Sequence, residues 1–247
     1  GIGRPHRQIT AEILFLPHST LIAAGKPSET FVSPAPELYL TLEIGRTDGA
    51  AAAAALTAAL TAAAPSSVLL RPKPGTPFDA GTVKTLVALT QKHGLAVLIE
   101  GDANLARMIK ADGVHLAWSK EPLKSYREAR DILGDHAMIG GDAGRSRDDA
   151  MGLGEAGADY VAFGIPSHVE DRATAEARQC DLADWWSEIF EVPCVACDVA
   201  TVEQARALAN AGADFICVAI SSEMSADDAA RRVADFAAAI TSIEATA

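Results

Sequence analysis

Cysteine is scarce: the 247-residue chain has four, Cys180, Cys194, Cys197 and Cys217, all in the last third. That is too few for a disulfide framework in a protein of this size, so they read as reduced thiols. Long apolar runs are absent too. No stretch reaches the roughly 18 to 20 uncharged residues that a membrane-spanning helix needs, and the N-terminus shows no basic region followed by a hydrophobic stretch and a small-residue cleavage site. The expected compartment is the cytoplasm. Nor is there a block of basic residues: Asp and Glu outnumber Lys and Arg 33 to 21, a formal charge of −12, which argues against nucleic acid or an anionic membrane as a partner. What the chain does have is 49% apolar residues, enough to build a packed core and to exclude disorder.

The first 36 residues are punctuated by Pro17, Pro27, Pro34 and Pro36 around one apolar cluster at 13–16, and read as an N-terminal extension with room for a single strand. From Glu37 on, short β-rich runs alternate with helical stretches of about 10 to 15 residues, the signature of βα units and a parallel sheet. Strand-like runs are expected at 38–44, 68–71, 95–99, 114–116, 137–140, 160–163, 194–197 and 215–219. The helices that follow are expected at 49–64, 80–93, 104–110, 123–133, 147–156, 182–191, 202–211 and 226–240. Eight such units in about 210 residues predict a (β/α)8 barrel, residues 37–247 forming one domain. An internal echo supports this. Lys110-Ala111-Asp112-Gly113-Val114, Gly157-Ala158-Asp159-Tyr160-Val161 and Gly212-Ala213-Asp214-Phe215-Ile216 each join a helix end to a strand start. Gly157 and Gly212 suit a left-handed helix C-cap, and the expected role of these joints is structural.

Function in such a barrel sits in the loops after the strands' C-terminal ends. Those ends carry Arg71 and Lys73, Glu100 and Asp102, His115 to Lys120, Asp142 to Arg145, His168 with Glu170, Asp171 and Arg172, Cys197-Asp198, and Ser221-Ser222. Both signs of charge converge on one face.

Several blocks carry a specific resemblance: Ala111-Asp112-Gly113-Val114-His115-Leu116, then Ile139-Gly140, Gly157 to Val161 running into Gly164, Pro193-Cys194-Val195-Ala196, and Ala211 to Asp214. In order and spacing they resemble the thiamine-phosphate synthase family and its thiazole-tautomerase relatives over roughly residues 38 to 225. The resemblance implies a (β/α)8 barrel that joins a pyrimidine pyrophosphate to a thiazole phosphate. Mg²⁺ would neutralise the leaving pyrophosphate before the thiazole nitrogen attacks, so cations, carboxylates and phosphate-binding amides would define the site.

Carried over by position, the family's cationic segment after the second strand falls on Leu69 to Lys73, keeping Arg71 and Lys73 and replacing a Gln by Leu69. One metal carboxylate falls on Asp102, beside Gly101 where the family has Asn, and the other falls on Lys120, which reverses a charge. Asp142 replaces a Ser, with a one-residue insertion before Gly157. The Thr-x-Thr-Lys segment falls on Val169 to Arg172 and keeps only the cation. Asp198-Val199 replaces a Gly-Gly pair that would let phosphate approach backbone amides. A carboxylate a few Å from a phosphate opposes it by on the order of 4 kcal/mol per charge pair at an effective dielectric of about 20. A Ser after the eighth strand falls on Ile220, and a one-residue shift brings in Ser221.

The expected ligand contacts are therefore Arg71, Lys73, His115, Asp142, His168, Arg172, Asp198 and Ser221, with Asp102 as the candidate metal ligand for Mg²⁺ if the chain is an active synthase. The ligand would be a phosphorylated heterocycle or another anion, and self-association is left open. A non-catalytic anion-binding or regulatory barrel and a diverged enzyme working without Mg²⁺ are the alternatives. Asp102 also suits a helix cap, and His168 a lid loop over the mouth. Cys194 and Cys197 stand three apart on a strand, on opposite faces, which defeats joint ligation. Trp118 stands where the family has a small polar residue, positioned either to fill the pocket or to stack on a heterocycle.

Overall fold

A computed structural model describes residues 35–166 and 168–241. Of the extension assigned to residues 1–36, all but the last two lie outside the described residues. Eight strands and eight helices alternate: β1 (Glu37–Ile44), α1 (Gly49–Ala62), β2 (Ser67–Pro72), α2 (Ala80–Lys92), β3 (Ala96–Glu100), α3 (Ala103–Ile109), β4 (Gly113–Leu116) and α4 (Pro122–Leu133) form the first half. The second half is β5 (Met138–Asp142), α5 (Arg147–Glu155), β6 (Tyr160–Phe163), α6 (Arg172–Ile189), β7 (Cys194–Ala196), α7 (Val202–Asn210), β8 (Phe215–Ser221) and α8 (Ala226–Thr241). All strand pairs are parallel, and β1 pairs with both β2 and β8, closing the barrel from Glu37 opposite Phe215 to Glu43 opposite Ser221. The chain is a (β/α)8 barrel.

Alternation along each strand separates two cores. Outward residues such as Leu40, Leu70, Ile99, Val161 and Val218 pack under the helices. Tyr39, Leu69, Leu98, Tyr160, Val195 and Phe215 fill the interior. Gly140 leaves room for the ring of Tyr160, into which a β-carbon would project. That phenol hydrogen-bonds Tyr39 Oη at 2.9 Å and His115 Nδ1 at 2.8 Å, a buried polar chain across the barrel.

The repeated aspartates share one job. Asp112 Oδ2 accepts from Val97 N at 2.9 Å, Asp159 Oδ2 from Ile139 N at 2.7 Å, and Asp214 Oδ2 from Cys194 N at 2.8 Å. Each staples the start of the preceding strand. Gly157 and Gly212 hold positive φ as expected, and Lys110 does so without being glycine.

One helix departs from expectation. α6 starts at Arg172, ten residues before the expected 182, because Asp171 caps it by accepting from Thr174 N at 3.1 Å. Its first turns, Arg172 to Asp181, are good helix formers with little apolar periodicity. They bury only Ala175 and Gln179, which hid them from a reading based on hydrophobic spacing. The loop after β6 shortens accordingly to residues 164–171.

Candidate functional site

The inward alternation of β1, β2, β3 and β5 carries Glu43, Arg71, Glu100 and Asp142 to the C-terminal mouth. Asp198 joins them from the loop after β7. Arg71 is only 28% exposed and is held twice: Nε donates to Glu100 Oε2 at 2.6 Å, and Nη1 lies 3.5 Å from Asp198 Oδ1. Burial lowers the guanidinium's pKa, but the carboxylates of Glu100 and Asp198 outweigh it and hold the group well above its ordinary value. Burial in turn pushes Glu100 up, against the pull of Arg71.

Asp142 ends β5, two residues beyond the expected strand end. Its Oδ1 accepts from Gly144 N at 2.7 Å and Gly164 N at 3.1 Å. Burial, with Asp198 nearby adding repulsion, raises its carboxyl to about 6. Asp198 takes a left-handed backbone, φ 57°, so the conformation that suits glycine persists although the residue is Asp. Its Oδ2 accepts from Ile165 N at 3.0 Å. The two carboxylates converge on Gly164, where a β-carbon would lie 2.5 Å from Asp142 Oδ2 and 2.8 Å from Asp198 Oδ2. Only a bare α-carbon fits between them.

The remaining expected residues scatter. His115 is buried below the mouth, and burial, with Arg71 adding to it, depresses its ring to about 3, so the imidazole is neutral. Lys73 is ion-paired to Glu223. Arg172 opens α6 and donates from Nη1 to Ile165 O at 3.4 Å, bracing the loop after β6. His168 is exposed and tilts against Trp118, ring centroids 6.1 Å apart. Trp118 also covers Gly144, whose missing β-carbon would meet its ring at 2.6 Å, so these aromatics bridge the loops after β4, β5 and β6. Ser221 faces inward at the end of β8 opposite Glu43, whereas Ile220 is packed outward.

Asp102 is exposed and caps α3, accepting from Leu105 N at 2.8 Å, and Lys120 is exposed on the loop after β4. Among the described residues no three His, Cys, Asp or Glu side chains converge to hold a metal. The residues present do not fit an Mg²⁺ site at the positions the resemblance implies: one carboxylate is a cap acceptor and the other is a lysine.

Sequence reasoning missed what holds the β7 loop. Gln179 of α6 donates from Nε2 to Phe163 O and Cys197 O, each at 2.6 Å, and Gln204 of α7 donates to Gln179 Oε1 at 3.0 Å. Gln204 Oε1 accepts from Ala200 N at 2.8 Å. The signal was Thr201-Val202-Glu203-Gln204, a capping-box pattern whose Thr201 Oγ1 accepts from Gln204 N. The thiols separate as expected: Cys194 packs outward, while Cys197 turns inward to lie 3.3 Å from Cys217, Sγ to Sγ.

Among known proteins, the chain is 43% identical over 141 residues to a thiamine-phosphate synthase of Erythrobacter litoralis, covering 56% of this chain and 65% of the relative. It is 42% identical over 133 residues to one of Hyphomonas neptunium, covering 54% and 59%. It thus spans just under two thirds of the length of these relatives. Thiamine phosphate pyrophosphorylase from Pyrococcus furiosus superposes with a TM-score of 0.63 at 20% identity, over 83% of this chain and 96% of that one. A tryptophan synthase complex from the same organism superposes at 0.65 and 13%, over 83% and 98%. At such identities the superpositions speak for the barrel alone. The family model described as thiamine monophosphate synthase matches residues 38–221, from the second residue of β1 to the last of β8, and the chain belongs to that family.

Proposed function

We propose that this chain acts in thiamin biosynthesis as a synthase-type barrel that takes the pyrimidine and thiazole precursors at its C-terminal mouth. One observation carries this: the family match takes in all eight strands but for the first residue of β1, so the ring of Glu43, Arg71, Glu100, Asp142 and Asp198 stands where such barrels bind ligands. Arg71 is the cation that the mouth would turn to a departing pyrophosphate, on leaving its pairs with Glu100 and Asp198. His115, neutral and backed by Tyr160, offers a hydrogen bond without charge. Trp118 and His168 form an aromatic edge against which a flat ring can lie. We place the chain in the cytoplasm, in keeping with four cysteines that are all free thiols; among the described residues no helix is long and apolar enough to cross a membrane.

A second reading, a barrel that binds without joining, is favoured by the fact that Arg71 is already neutralised by this chain's own carboxylates. Calorimetry with pyrimidine pyrophosphate and the thiazole, with and without Mg²⁺, followed by product analysis, decides between the two. Formation of the joined product supports the synthase, binding without product supports the second reading, and no binding of either heterocycle rejects both.

A further inference from the structure

The β7 loop holds an anion of its own. Asp198 places Oδ2 on the backbone N–H of Ile165 at 3.0 Å and Oδ1 3.5 Å from the guanidinium of Arg71. A main-chain amide and an arginine are the donors that a phosphate monoester seeks at the mouth of such a barrel. The amide is filled and the guanidinium is ion-paired from within the chain. The carboxylate is not there by accident of a floppy side chain: φ of 57° fixes its origin, and the Gln179–Gln204 pair fastens the backbone on either side through Cys197 O and Ala200 N. Around it, Glu43, Glu100 and Asp142 leave four carboxylates facing one guanidinium, so an incoming anion meets repulsion as well as occupied donors.

We propose that Asp198 is a specificity-determining residue, an internal substitute for a ligand phosphate, so that the mouth takes the thiazole partner as its free alcohol and rejects the phosphate monoester. This rests on the reading of the mouth as a heterocycle site and narrows its ligand.

The test uses inorganic phosphate first, because that arm does not depend on any heterocycle. Asp198→Asn keeps an acceptor for Ile165 N and a residue type that tolerates left-handed φ, removing only the charge. Asp198→Gly keeps the backbone and uncovers the amide. Isothermal calorimetry should show no measurable phosphate binding by the wild type, a gain of about tenfold or more in Asp198→Gly, and a smaller gain in Asp198→Asn. In a ¹H–¹⁵N spectrum the Ile165 amide should move with phosphate only in the variants. Equal phosphate affinity in all three proteins, or a wild type whose Ile165 amide responds, overturns the proposal. The second arm compares the hydroxyethyl thiazole with its phosphate ester: preference for the alcohol by wild type, reversed in Asp198→Gly, agrees. A phosphate gain in the variants with no thiazole binding by any of them leaves Asp198 as the anion substitute and rejects the heterocycle reading instead.

Discussion

Asp142 is ionised at neutral pH only against the penalty of its burial. Its folded value of about 6 lies above the ordinary 3.8, so the folded state holds the proton more tightly. Stability from this group is therefore present at low pH and lost as pH rises from about 4 to about 6, by up to about 3 kcal/mol. Asp142→Asn keeps an acceptor for Gly144 N and Gly164 N and removes the charge. We expect it to stabilise the protein by about 2 kcal/mol at pH 7.5, after a loss of about 1 kcal/mol for the weaker acceptor, and to have little effect at pH 4.5. Thermal unfolding of both proteins at the two pH values checks this. His115, whose depressed value works in the opposite sense, is common to both and cancels. At Asp102 the cap makes a separate prediction: Asp102→Ala should cost about 1 kcal/mol, while Asp102→Asn, still a cap former, should cost almost nothing. Urea titration distinguishes them, and an equal loss in both would mean that the carboxylate's charge matters beyond the cap.

At the scale of the elements, the interior strands are coupled by one polar chain. Tyr160 of β6 reaches Tyr39 of β1 and His115 of β4. Tyr160→Phe keeps the ring and removes the bridge, leaving the Tyr39 hydroxyl and His115 Nδ1 buried without it; the expected cost is about 2 to 4 kcal/mol, read by urea denaturation. Gly140→Ala acts on the same ring from β5 by steric conflict, and overpacking at a fully buried site should cost at least as much. A Tm for Gly140→Ala equal to wild type would show that the ring moves aside. The aspartate staples were readable as a repeat because each sits one residue before a strand start. The Gln179–Gln204 bridge was not readable from Gln179, since a glutamine on a polar helix face gives no hint that the face turns inward.

For the whole molecule, closure of the barrel decides which cysteines react. Cys194, Cys197 and Cys217 are buried, and Cys180 is half-buried on α6. Burial raises the Cys194 thiol, and the hydrogen bond with Cys217 together with burial raises that of Cys197, so thiolate is scarce in the native state. An aromatic disulfide reagent should titrate one thiol in native protein and the other three only after denaturant; three or four fast thiols in buffer would contradict the packed interior. The eightfold alternation, the joints at Asp112, Asp159 and Asp214, and the family blocks were legible in the amino-acid order because each is local: strand period, cap chemistry and turn residues are written within a few neighbours. Most charges of the mouth were legible too, from their positions after strands. Their pairing came from the closed barrel. Arg71 meets Glu100 because β2 and β3 lie side by side, and meets Asp198 because the barrel closes across its axis. Tyr39 meets Tyr160 over 121 residues of chain for the same reason. Asp198, adverse to phosphate on charge alone, is held against Ile165 N and Arg71 by contacts between β2, the β6 loop and the β7 loop, which no spacing within one segment encodes.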